Sequence, residues 1–189
     1  MFGVRETVNM AQILDGTSNT ILMSERLCQQ EMPRAQNAVA VGGRQVEHVM
    51  GVCTAPPSQV RNNPAVCFQV TDGKYFVDQS AIQGRFGISW QDGQAMYVGF
   101  NTVLPPNAPA CADGGSWGDS NHLIIPPASR HPGGVNVVFA DGSTKFINND
   151  IDTGDLSVGQ PLQGPSRYGV WGAMGSRNGG ESVSGGGTP

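Results

Sequence analysis

The chain has 189 residues and a net charge of −4, with only 14% charged residues but 27 glycines and 13 prolines. It has no Lys/Arg cluster, which argues against nucleic acid or an anionic membrane face as a partner. No apolar run approaches the roughly 18 residues that a spanning helix needs. Such a composition implies one domain, or one domain plus an irregular tail, of all-β or β-dominated architecture.

In chain order, Val8, Met10 and Ile13 alternate loosely and read as a strand or a short helix. Asp15-Gly16-Thr17-Ser18-Asn19 is a dense turn signal, and Thr20–Glu25 is the strand leaving it. Residues 29–38 are polar and admit a short helix broken at Pro33. From Val52 to Pro127, short apolar pieces alternate with turn clusters; Phe86–Trp90 and Met96–Phe100 form a candidate hairpin around Asp92-Gly93.

The clearest element is Val135–Ala140, then Asp141-Gly142, then Ser143–Ile147. Asp-Gly supplies the positive φ values of a type I′ turn, whose twist suits antiparallel strands. That turn would pair Ala140 with Ser143 and Val137 with Phe146. Val135, Val137, Phe139 and Phe146 would then share the core face. Residues 182–189 are Gly/Ser-rich and read as a disordered tail.

Cys28, Cys53, Cys67 and Cys111 include no C-x-x-C pair and no histidine at zinc-finger spacing, so zinc is not indicated. An even cysteine count in a polar chain fits disulfides and an oxidising compartment, extracellular or cell-envelope. The favoured pairing is Cys53–Cys67, closing a short proline-rich loop, with Cys28–Cys111. Four buried thiols are the competing reading.

Gly114-Gly115-Ser116-Trp117-Gly118 matches a nucleophile elbow, but that motif needs a strand before it and a helix after it, and both flanks are wrong. His131 and Asp141 could suggest a dyad, yet an extended strand rises about 3.3 Å per residue and sets them at opposite ends of one strand. Asp141 is expected to shape the turn, and His131 to hold the loop before the strand by hydrogen bonding. Asp150, Asp152 and Asp155 form one oxygen-rich run, and Asp113 and Asp119 flank another loop. These are weak calcium candidates outside any EF-hand register. His48, His122 and His131 are scattered, and no cofactor motif is present. Trp90, Trp117 or Tyr97 could stack on a glycan, although aromatics more often belong to a core.

The segment from Ser129 to Gly142, with His131, Gly133, Gly134, Asp141 and Gly142, resembles the H-x9-D-G signature of a planctomycete pseudopilin-like family of unknown function whose members begin with a prepilin-type segment. Residues Asp15-Gly16 to Leu22, Asn101–Asn107 and Tyr168–Ala173 strengthen the likeness. The resemblance implies a mainly β (α+β), pilin-like body over residues 1–181, an antiparallel sheet with long irregular insertions on which a long N-terminal helix packs. That helix is expected to be missing here, which predicts an exposed apolar groove where it would lie, and protein partners or self-association. The expected function is therefore non-enzymatic and structural, resembling a pseudopilin globular domain. A glycan- or calcium-binding module is the alternative.

Overall fold

The computed structural model describes residues 7–28, 45–55, 59–83, 86–87, 89, 91–113, 123–159 and 164–181. The 29–38 stretch, Trp90, the Gly114–Gly118 loop with Trp117, Asp119, His122 and the 182–189 tail lie outside the described residues. Among the described residues the strands are β1 (Ile21–Ser24), β2 (Val52–Ala55), β3 (Ile82–Gln83), β4 (Ala110–Asp113), β5 (Leu123–Ile124), β6 (Gly134–Phe139) and β7 (Thr144–Asn148). The α-helices are α1 (Ala95–Val98) and α2 (Gly169–Gly175), and 3-10 turns cover Met10–Gln12, Pro64–Val70 and Gln79–Ala81. The mainly β, α+β expectation is borne out. One sheet has the order β1-β6-β7 and is antiparallel; the other has the order β3-β2-β4-β5, with β2 and β4 running parallel.

Strand β6 alternates as its sequence demands. Val135, Val137 and Phe139 are buried, while Asn136 and Val138 are half-exposed on the other face. The buried side packs against Ile21, Ile147 and Trp171, joined by Phe100, Ile151 and Met174. The indole N–H of Trp171 donates to the Leu104 carbonyl at 2.8 Å, and Leu104 belongs to the core under the four-stranded sheet. A single side chain thus fastens the two sheets together.

The β6–β7 hairpin exists, but its register differs from expectation by one residue. Val138 lies opposite Thr144, Val137 opposite Lys145 and Asn136 opposite Phe146. The loop has three residues, Ala140-Asp141-Gly142, closed by Phe139 N–H to the Ser143 carbonyl at 2.8 Å and Gly142 N–H to the Phe139 carbonyl at 2.9 Å. Only Gly142 has positive φ, at 86°. The Asp141 carboxylate accepts from the Ser143 backbone and hydroxyl at 2.9 and 2.7 Å, a local turn that holds Asp141 out of the left-handed region. The result is a type I turn followed by a bulge rather than type I′. One residue of slip exchanges the faces: Ile147 enters the core and Phe146 faces solvent.

Two further expectations are corrected. Residues 95–98 are helical, so Met96–Phe100 is not a hairpin strand. Asp92 accepts from Gln94 N–H and starts a turn, after which Met96 is buried in one cluster with Phe86. The disulfide joins Cys67 to Cys111, with Cα atoms 5.6 Å apart, while Cys53 and Cys28 are thiols. The 3-10 turn Pro64–Val70 carries Cys67 onto Cys111, whereas Cys53 lies in the same core cluster and stays unbonded. A short Cys53–Cys67 loop does not form.

Candidate functional site

The loop from Ser129 to Gly134 is tied by its own serine. Ser129 Oγ donates to the Gly134 carbonyl at 2.7 Å and accepts from His131 N–H at 3.0 Å. Gly133 takes φ of 82°, and a Cβ on Gly134 would stand 2.1 Å from the Ile147 carbonyl oxygen. Glycine is required at Gly134 because β7 passes too close for any side chain.

Just beyond β1, Glu25 turns its carboxylate onto this loop and strand. One oxygen accepts from Asn136 N–H at 2.8 Å; the other accepts from Asn136 Nδ2 at 3.0 Å and meets His131 Nε2 at 3.1 Å. The Glu25 side chain therefore stands in for a missing ladder partner of β6. Burial alone would raise the Glu25 pKa, but the two Asn136 donors and the nearby His131 together hold it below its ordinary 4.5. His131 forms an ion pair with it when protonated, and the imidazole side chain is 56% exposed. Arg130 pairs with Glu47 on the neighbouring rim.

Asn107 is the second node, and its φ of 61° is the left-handed value that asparagine tolerates. Its Oδ1 accepts from Ser129 N–H at 2.8 Å, and its Nδ2 donates to Asn149 Oδ1 at 2.9 Å and, more weakly, to the Gly134 carbonyl at 3.4 Å. The Asn107 carbonyl meets His48 Nε2 at 3.1 Å, while His48 Nδ1 lies 2.7 Å from Thr71 Oγ1. Burial pushes the His48 pKa below its ordinary 6.5 despite the Asn107 carbonyl and the charges of Glu47 and Asp72. The neutral ring then carries its proton on Nε2.

A third node is Asp15, with Gly16 at φ 94° in the same turn. Its two carboxylate oxygens accept from Gly179 and Gly180 N–H at 2.7 and 2.9 Å. Thr20 Oγ1 reaches the Ser176 carbonyl at 3.1 Å, and Asp141 N–H donates to the Thr17 carbonyl at 3.1 Å. The stretches singled out in the sequence, 15–22, 101–107, 129–142 and 168–173, thus meet around the β1-β6-β7 sheet.

His131 faces Glu25, whereas Asp141 closes its own turn. The calcium candidates are not gathered. Asp152 accepts from Gly154 and Val170 N–H at 2.9 and 3.2 Å. Asp155 accepts from the Ser157 backbone and hydroxyl, buried Asp113 accepts from Val60 N–H at 3.0 Å, and Asp150 is exposed. Among the described residues no group of three or more His, Cys, Asp or Glu side chains is placed to hold a metal ion. Sequence reasoning missed Glu25, Asn107 and His48 as partners, because their contacts span 106, 22 and 59 residues of chain. Arg26 was missed as well. Its guanidinium lies 3.3 Å over the Phe86 ring and donates to the Gly99 and Ile125 carbonyls at 3.3 and 3.1 Å. Burial lowers its pKa to about 9, which leaves it cationic at neutral pH.

Fold and site together define an α+β domain whose motif side chains hydrogen-bond the backbone at strand ends. The chain belongs to the family described as "Protein of unknown function (DUF1559)", whose model matches residues 1–154. Neither the curated proteins nor the solved structures contain a significant match.

Proposed function

We propose that this chain is a non-enzymatic structural subunit of the cell envelope or extracellular space, with a body plan like that of a pseudopilin globular domain. It assembles with further copies through the outer face of the β1-β6-β7 sheet. The carrying observation is a short apolar diagonal across this face, Met23, Val138 and Phe146, set between Asn136 and Thr144. Met23 lies opposite Val138, and Phe146 is diagonal to Val138 on the next strand. Met23 is 61% exposed and Phe146 46%. Apolar side chains grouped on a sheet face favour a protein contact. The Cys67–Cys111 disulfide suits an oxidising compartment. No helix among the described residues is long and apolar enough to cross a membrane.

The test is sedimentation velocity on the wild type and on the double variant Met23→Glu/Phe146→Glu across a concentration series. Self-association in the wild type that the variant loses, at unchanged melting temperature, supports the proposal. A wild type that stays monomeric at the highest concentrations, or a variant that associates equally, overturns it.

A further inference from the structure

Cys53, Cys67 and Cys111 share one core cluster, although only two of them are bonded. Cys53 on β2 is the register partner of Cys111 on β4, and the two strands run parallel. Directly opposed residues of a parallel pair point to the same face, on strands about 4.8 Å apart, which lies within the Cα range that a disulfide accepts. The third cysteine, Cys67, reaches Cys111 from the 3-10 turn Pro64–Val70. A thiol therefore lies alongside a disulfide inside one protein core.

We propose that the Cys67–Cys111 bridge is exchangeable and that Cys53 is its resident partner, so the protein has a second covalent form bridged Cys53–Cys111. In the step, the Cys53 thiol gives its proton to solvent and the thiolate attacks Cys111 Sγ. The new Cys53–Cys111 bond forms as the Cys67–Cys111 bond breaks, and the Cys67 thiolate leaves and takes up a proton. One disulfide and one thiol stand on each side, so no external oxidant or reductant is required.

The two forms differ mechanically. In the first, the bridge anchors the Pro64–Val70 turn to β4. In the second, it staples β2 to β4 within the sheet and leaves that turn held by noncovalent contacts alone. Exchange is restrained at rest. Cys53 Sγ points its proton toward the Thr54 carbonyl at 3.6 Å, and burial, with Asp78 adding to it, pushes the thiol up to about 12. Since only the thiolate attacks, exchange needs alkaline pH or an opening of the segment around Asp78.

The experiment is convenient because cleavage after Arg44, Arg61, Lys74, Arg85 and Arg130 puts Cys53, Cys67 and Cys111 on separate tryptic peptides. Purified oxidised full-length protein is held at pH 7 and at pH 10, with and without low urea and without any redox reagent. It is then acid-quenched, alkylated and mapped without reduction. The expected result is the Cys67–Cys111 peptide pair at pH 7. At pH 10 or in urea, a Cys53–Cys111 pair rises as Cys67 becomes alkylated, at a rate independent of protein concentration. Cys28→Ser leaves this unchanged and Cys53→Ser abolishes it. An alkylation pattern in which Cys67 stays bonded under every condition overturns the proposal. So does an exchange that survives Cys53→Ser, disappears with Cys28→Ser or scales with concentration.

Discussion

Glu25 and His131 meet at 3.1 Å across 106 residues of chain, and the same carboxylate takes both the backbone and the side-chain donor of Asn136. The contact joins the end of β1 to the loop that starts β6. It is a backbone splice made by a side chain, and its strength depends on charge.

Its pH signature has a definite sign. The folded-state pKa of Glu25 is lowered, so its contribution is complete above the ordinary 4.5 and is lost as pH falls through the depressed value. His48 is also lowered, from 6.5, so the folded protein resists protonation there and loses stability once pH drops below that value. Thermal unfolding from pH 8 to pH 3 should show melting temperature falling in two stages. Glu25→Gln should remove part of the lower stage and His48→Gln the upper one. Asp72, Asp78, Asp141 and Asp155 are lowered as well, so a residual acid limb should persist in both variants.

The hairpin register can be tested by two neighbouring substitutions. Ile147→Ala empties a core position and should cost about 2–4 kcal/mol in urea unfolding. Phe146→Thr, on the open face, should change stability by less than about 0.5 kcal/mol in dilute protein. The type I′ register anticipated from Asp-Gly would reverse that order.

Two glycines separate conformational cost from steric cost. Gly142 has positive φ and open space around its Cβ position, so Gly142→Ala should cost only the left-handed penalty, about 1–2 kcal/mol. Gly134→Ala drives a methyl into the Ile147 carbonyl and should break the β6–β7 ladder there. Amide exchange at Ile147 and Asn148 should accelerate markedly in the second variant and hardly in the first.

Asp15 holds the chain after α2 through two charge-assisted hydrogen bonds. Asp15→Ala should raise amide exchange at Gly179 and Gly180 by at least tenfold and lower stability by about 1–3 kcal/mol. Asp15→Asn, which keeps one acceptor, should fall between.

Much of the sheet was legible because β6 writes its own alternation: Val135, Val137 and Phe139 in, Asn136 and Val138 out. The register was not, because Asp-Gly suits both a two-residue type I′ loop and a three-residue bulged loop. The choice fell to the Asp141–Ser143 contact, which propensity does not weigh. The disulfide partners were hidden for another reason. Loop length favours a near pairing, whereas Cys67 meets Cys111 because the Pro64–Val70 turn packs against β4, a contact across 44 residues of chain that local pattern does not register. Glu25 looked like the tail of a strand, and its partners could be identified only once β1 had been placed beside β6. His131 touches its own loop through its backbone N–H on Ser129 Oγ, while its ring turns to Glu25, a carboxylate 106 residues away that no local pattern announces.

The placement of Trp171 has a bearing on how the chain is made. Its ring completes a core whose other walls, Ile21, Val135, Val137 and Phe139, lie earlier in the sequence, and its indole reaches back to Leu104. A nascent polypeptide emerging from the ribosome must therefore wait for residues near 171 before those walls can close, and until then they remain a sticky intermediate. Emergence of Trp171, not synthesis of the strands themselves, would time the final collapse. A recombinant piece trimmed at residue 154, where the family match stops, would leave that slot empty.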